Sequence, residues 1–119
     1  MTHQELEEYI LAKPGSFLDY PFGEGVAVYK VGSKETAKMF ALIQEGRDPV
    51  QISLKCDPLL AKTLRERYDT VMPGYHLNKK LWNTIVTSGQ LTDQEVFDLI
   101  SLSYQLVVEG LPKDEQAKL

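Results

Sequence analysis

The densest collection of chemically capable side chains lies in one run of ten residues, Tyr75-His76-Leu77-Asn78-Lys79-Lys80-Leu81-Trp82-Asn83-Thr84. Lys79 and Lys80 suit phosphate, Asn78 and Asn83 suit base edges or sugars, and Tyr75 and Trp82 offer rings on which a base can stack. A second use of the same run is a pocket for a small ligand or a partner protein, lined by Tyr75, His76 and Asn83. A purely architectural reading competes with both: Trp82 as a core residue of a strand, Asn78 as the bend and the lysines as a solvated turn.

Nucleophilic catalysis finds little to work with. The possible bases are His3, next to a chain end, and His76, and the single cysteine, Cys56, falls on the apolar alternation of a strand, where a buried thiol is expected. No HExxH, GxxxxGK[ST] or GxGxxG pattern is present, so zinc hydrolase, P-loop and dinucleotide chemistry are unsupported. Glu5, Glu7 and Glu8 could be read as weak oxygen ligands for a metal, but they sit where acids complement the dipole of a first helix, and Asp93, Glu95 and Asp98 repeat that arrangement. The sequence therefore predicts neither an enzyme nor a cofactor or metal protein.

The elements that must position the polar run follow from periodicity. Thr2 with Glu5 and Thr92 with Glu95 are capping-box pairs that open helices over about 2–13 and from 92 to a stop at Gly110 and Pro112. Asp57-Pro58 opens another over 58–68. Between them GVAVYKV, KMFALIQ and VQISLKC read as strands, the last with Val50, Ile52, Leu54 and Cys56 alternating against Gln51, Ser53 and Lys55. EGRDP is a short hairpin turn, VGSKETA a longer and more mobile connection, and the stretch from Pro14 to Gly25 a loop pinned by aromatics. After a turn at Pro73-Gly74, a short extended piece and a strand over 81–87 complete an α+β layout: an antiparallel sheet of about four to five strands with helices packed on one face and the other face open.

The 119 residues, with a net charge of −4 and one cysteine, fit one globular domain spanning 1–119 that needs no disulfide. No segment is apolar enough to span a membrane and the first residues are acidic, so a cytoplasmic monomer without membrane contact is expected. The overall charge argues against a basic coat, yet its distribution is uneven. Residues 1–29 carry one basic and five acidic side chains, 30–80 ten and six, and 81–119 two and six, or −4, +4 and −4. Lys30, Lys34, Lys38, Arg47, Lys55, Lys62, Arg65, Arg67, Lys79 and Lys80 all belong to the basic middle, which is placed to border the open face.

The segments ISLKCDPLLAKTLRERY, VMPGYHLNKKLWNTI and LISLSYQLVVEGLPK, in this order and spacing, resemble the MmcQ/YjbR family of small bacterial proteins. The resemblance covers essentially the whole chain and is most specific over 51–113. It departs at Leu81, where family members commonly carry a histidine. The resemblance implies a fold like that of the bacterial frataxin homologue CyaY and a DNA-binding role through a double-wing arrangement of strands and loops. The combined expectation is a non-enzymatic domain that binds DNA weakly and in a salt-sensitive way. Lys30, Lys38, Lys55, Lys79 and Lys80 would take phosphates, and Asn78 and Trp82 would position the strand.

Overall fold

In a computed structural model describing residues 1–74 and 77–119, both capping boxes form. Thr2 Oγ1 accepts the Glu5 N–H and Glu5 returns to the Thr2 N–H, opening α1 (His3–Leu11). Thr92 and Glu95 do the same for α3 (Asp93–Glu109). Asp57 caps α2 (Pro58–Arg67) by accepting from the N–H groups of Leu59 and Leu60. A short α4 (Lys113–Ala117) follows Pro112, beyond the stop that the sequence predicts.

Among the described residues six strands form one antiparallel sheet: β1 (Ser16–Asp19), β2 (Val26–Val31), β3 (Lys38–Gln44), β4 (Gln51–Lys55), β5 (Val71–Pro73) and β6 (Trp82–Val86). Their spatial order is β1-β2-β3-β4-β6-β5, one strand more than the upper expectation. The addition is β1, which occupies the stretch expected to be loop and pairs with β2 over Ser16↔Val31 to Asp19↔Val28. The short extended piece expected just after Pro73-Gly74 includes Tyr75 and His76, which lie outside the described residues, while β5 ends at Pro73 and pairs Val71 with Ile85. The β2–β3 connection is shaped by its own bonds, with the Thr36 and Ala37 N–H groups both reaching the Ser33 carbonyl. Gly32 sits there at φ +120°, and an added Cβ would stand 3.1 Å from the Ala37 backbone, so only glycine suits the position.

Period-two alternation divides the sheet into two faces. The inner face presents Ala27, Tyr29, Val31, Ala41, Ile43, Ile52, Leu54 and Ile85, which with Leu6, Ile10, Val96, Ile100 and Val107 of α1 and α3 make the core. The expectation of helices on one face therefore holds. The outer face carries a row in register, Val28↔Leu42↔Ser53↔Thr84↔Met72. Although α1, α2 and α3 pack on the other side, all of this row except Met72 is buried, and Val28 is fully so. Long neighbours on the same face, including Lys30, Met39, Gln44 and Gln51, stand around it.

The β2–β3 register shifts between Tyr29 and Lys30, so Tyr29 pairs with Ala41, Lys30 with Met39, and Phe40 is the extra residue. Such an insertion leaves ladder groups without partners. Ser103, in the buried stripe of α3, supplies them: its hydroxyl donates to the Phe40 carbonyl at 2.6 Å and accepts the Lys55 N–H at 2.9 Å. Among the described residues no buried side-chain polar atom lacks a partner.

Ser103→Ala should cost about 2–4 kcal/mol, because two buried backbone groups lose their partner together. Urea unfolding with an unchanged m-value reads this directly, and a loss below about 0.5 kcal/mol would show the bridge to be dispensable. Cys56, also buried, has its thiol pushed up to about 11 by burial. In the folded protein it stays protonated at pH 8, so iodoacetamide labelling should be slow there and should accelerate only as pH approaches that value. Rapid labelling at pH 8 by a thiolate titrating near 8.5 would contradict this placement.

Candidate nucleic-acid interface

The lysines predicted to act together fall into three situations. Lys55, at the end of β4, shares the outer face with Ser53 and lies in register with Trp82. Immediately before Trp82, residues 78–81 form a compact turn in which the Leu81 and Trp82 N–H groups both donate to the Asn78 carbonyl. Asn78 Oδ1 accepts the Lys80 N–H at 3.0 Å, so this side chain shapes the turn that exposes Lys79 and Lys80. None of these three lysines forms an ion pair with a described residue.

Lys30 shares the outer face but is committed. Its Nζ lies 2.9 Å from Asp19 Oδ2, and this bond holds the Asp19 carboxyl below its ordinary range. Lys34 joins Lys30 and Asp19 around a shallow depression that also includes Phe17. Lys38 lies elsewhere. It pairs with Val31, an inner-face residue, and lines a groove with Glu35 and the Gly110–Pro112 end of α3. The bulge at Phe40 explains the separation, since one inserted residue changes the side to which the preceding residues point.

Trp82 is 8% exposed, so its ring is closed to a stacking base in this arrangement. Asn83 is 2% exposed on the inner side, where its Oδ1 accepts from Arg65 Nη1 at 2.7 Å and its amide donates to the Ala61 carbonyl at 3.2 Å. It fastens α2 to β6. The same Arg65 Nη1 also donates to the Lys79 carbonyl at 3.1 Å. Arg65, read from the sequence only as one of many basic residues, is thus a clamp that locates the Lys79-Lys80 turn. Tyr75 and His76, the other two residues of the expected pocket, lie outside the described residues.

The acids of α1 have structural partners. Glu5 closes the capping box, and Glu7 accepts from the Tyr29 hydroxyl at 2.6 Å with His3 Nε2 3.3 Å away. Burial, reinforced by Glu7, raises the Tyr29 hydroxyl well above its ordinary range, so it remains a donor. Among the described residues no three His, Cys, Asp or Glu side chains are grouped to hold a metal ion. Among the described residues no helix is long and apolar enough to cross a membrane.

One further concavity was missed by sequence reasoning: an outer-face cleft of about 320 Å³ over β3, β4, β6 and β5, lined by Gln44, Arg47, Gln51, Ser53, Met72, Pro73 and Thr84. The alternation of Gln51, Ser53 and Lys55 was its only trace in the sequence, and it did not reveal that Gln44 and Arg47 would join them.

Comparison with known proteins places this architecture. The YjbR protein of Escherichia coli K12, itself uncharacterised, is 34% identical over 119 residues, covering 100% of this chain and 98% of its own. YyaQ of Bacillus subtilis 168, also uncharacterised, is 26% identical over 89% of this chain and 98% of that protein. The crystal structure of Deinococcus radiodurans DR2400 superposes with a TM-score of 0.93 at 34% identity, covering 98% of this chain and 86% of that one. A protein from Pseudomonas syringae gives 0.74 at 29% identity, covering 90% of this chain and 99% of that one. The family model for YjbR matches residues 11–106, and with 34% identity to the E. coli protein along the whole chain it establishes that the chain belongs to the YjbR family.

Proposed function

We propose that this YjbR-family chain is a non-enzymatic binding domain that takes a DNA backbone at the Lys55, Lys79 and Lys80 end of its outer sheet face. The observation that carries the reading is the way these three amines are held. Lys55 lies beside Trp82, while Asn78 and Arg65 fix the turn carrying Lys79 and Lys80. Amines presented without acidic partners suit phosphate, whereas Lys30 is already neutralised by Asp19.

The same geometry defines the kind of binding. Among the described residues of this end of the face Trp82 is closed and Asn83 committed, so affinity comes from phosphates and depends weakly on sequence. The excess acid of residues 1–29 and 81–119 opposes approach of the duplex by those parts of the surface, which restricts orientation.

A salt series on a labelled duplex should give weak binding whose logarithm falls with log salt at a slope of about −2.7, the value for three neutralised phosphates. The double change Lys79→Ala and Lys80→Ala should reduce that slope by about 2 and weaken all sequences alike, with the unfolding midpoint unchanged. No binding at low ionic strength, or an unaltered slope in the double variant, overturns the reading. Arg65→Met supplies an indirect check: it removes the clamp while leaving the lysines, so affinity should fall a few-fold and amide exchange in the 78–81 turn should speed up. An unchanged turn would show that Arg65 does not position it.

A further inference from the structure

The outer face carries a second polar region, at the opposite end of β4 from Lys55. Gln44 and Gln51 occupy the next cross-strand positions beyond the Ile43↔Ile52 pair, and Arg47 lies in the turn between their strands. Cross-strand amides so placed are within reach of each other. Here neither makes a hydrogen bond to a described residue, and Arg47 pairs with no acid although Glu45 and Asp48 are its near neighbours in the chain. Glu45 accepts from the Tyr20 hydroxyl instead, at 3.1 Å. Three uncommitted polar side chains thus border one cleft of about 320 Å³.

The remaining lining is of a different character. Ser53 and Thr84 are buried in the floor with their hydroxyls 2.8 Å apart, a fixed polar pair. Met72, 36% exposed, supplies an apolar side from β5. Concave volume at the small end of the ligand range, an apolar wall and a few convergent polar groups are the ordinary composition of a small-molecule site.

From this composition we infer that the cleft is a binding site for a small organic monocarboxylate with a short apolar body. A single guanidinium offers a fork that matches one carboxylate. Among the described lining residues Arg47 is the single cation, which disfavours a dianion. Gln44 and Gln51 supply N–H donors for the second carboxylate edge or a neighbouring carbonyl, and Met72 takes the apolar body. The site is independent of the proposed DNA contacts, since it shares no lysine with them.

The test is a titration of the ¹⁵N-labelled full chain with hexanoate, benzoate, their primary amides and inorganic phosphate, followed by NMR. Saturable shifts from a carboxylate should be confined to residues around Gln44, Arg47, Gln51 and Ser53, including the glutamine side-chain amides. The matched amide should bind at least about tenfold more weakly, and Arg47→Ala should lose a similar factor, as expected for one charge-assisted hydrogen bond. Arg47 is exposed in a turn, so this variant keeps the fold, which its own spectrum verifies. Lys79→Ala with Lys80→Ala should bind the carboxylate as the parent does. Absence of saturable shifts at millimolar carboxylate, equal response to the amides, preference for phosphate, or full retention of binding by Arg47→Ala would each overturn the inference.

Discussion

The hydroxyl of Ser103 is the point through which the two halves of the sheet and the long helix are tied. A bulge at Phe40 ends the regular pairing of β3 with β4 at Ala41↔Leu54, and the backbone groups beyond it need partners that no strand provides. One side chain from α3 answers both, as donor to one strand and acceptor from the other. The cost of leaving such groups dry is large compared with the net value of most hydrogen bonds, so the helix is located along its own axis as well as by its apolar stripe. The consequence on the far side of the sheet is positional: the backbone at Lys55 is held, and the Lys55 side chain leaves it toward the outer face.

A second bond network does for the β6 end what Ser103 does for the centre. Arg65 binds Asn83 and the carbonyl of Lys79 with the same nitrogen, and Asn83 binds the α2 carbonyl of Ala61. A surface turn is thereby connected to a buried amide. The lysines that it presents are fixed at the backbone and free at the tip, an economical arrangement for contacting a charged polymer, since only the side chains remain to be ordered.

The sequence made most of this scaffold readable because its signals are local. Capping boxes at Thr2-Glu5 and Thr92-Glu95, the Asp57-Pro58 start and the alternation of β4 each declare themselves within a few residues. The four residues of β1, set among prolines and glycines, and the three of β5 are too short for a periodic pattern to emerge; only their partners define them. Site residues obey the same division. Lys55 was placed on its face by alternation, whereas Lys38 was separated from it by a bulge that leaves no compositional mark. Asn83, Arg65 and Ser103 look in the sequence like two surface polars and a gap in an apolar stripe. Their importance arises from neighbours 14 to 63 positions away.

The two ends of the sheet have a bearing on how the chain behaves at high concentration. Strand order leaves β1 and β5 as the edges, only four and three residues long. Pro73 ends β5 with no N–H to offer an incoming strand. A sheet whose interior is long and well paired is therefore bounded by edges too brief to template growth, so the open face can stay uncovered by helices without inviting edge-to-edge aggregation.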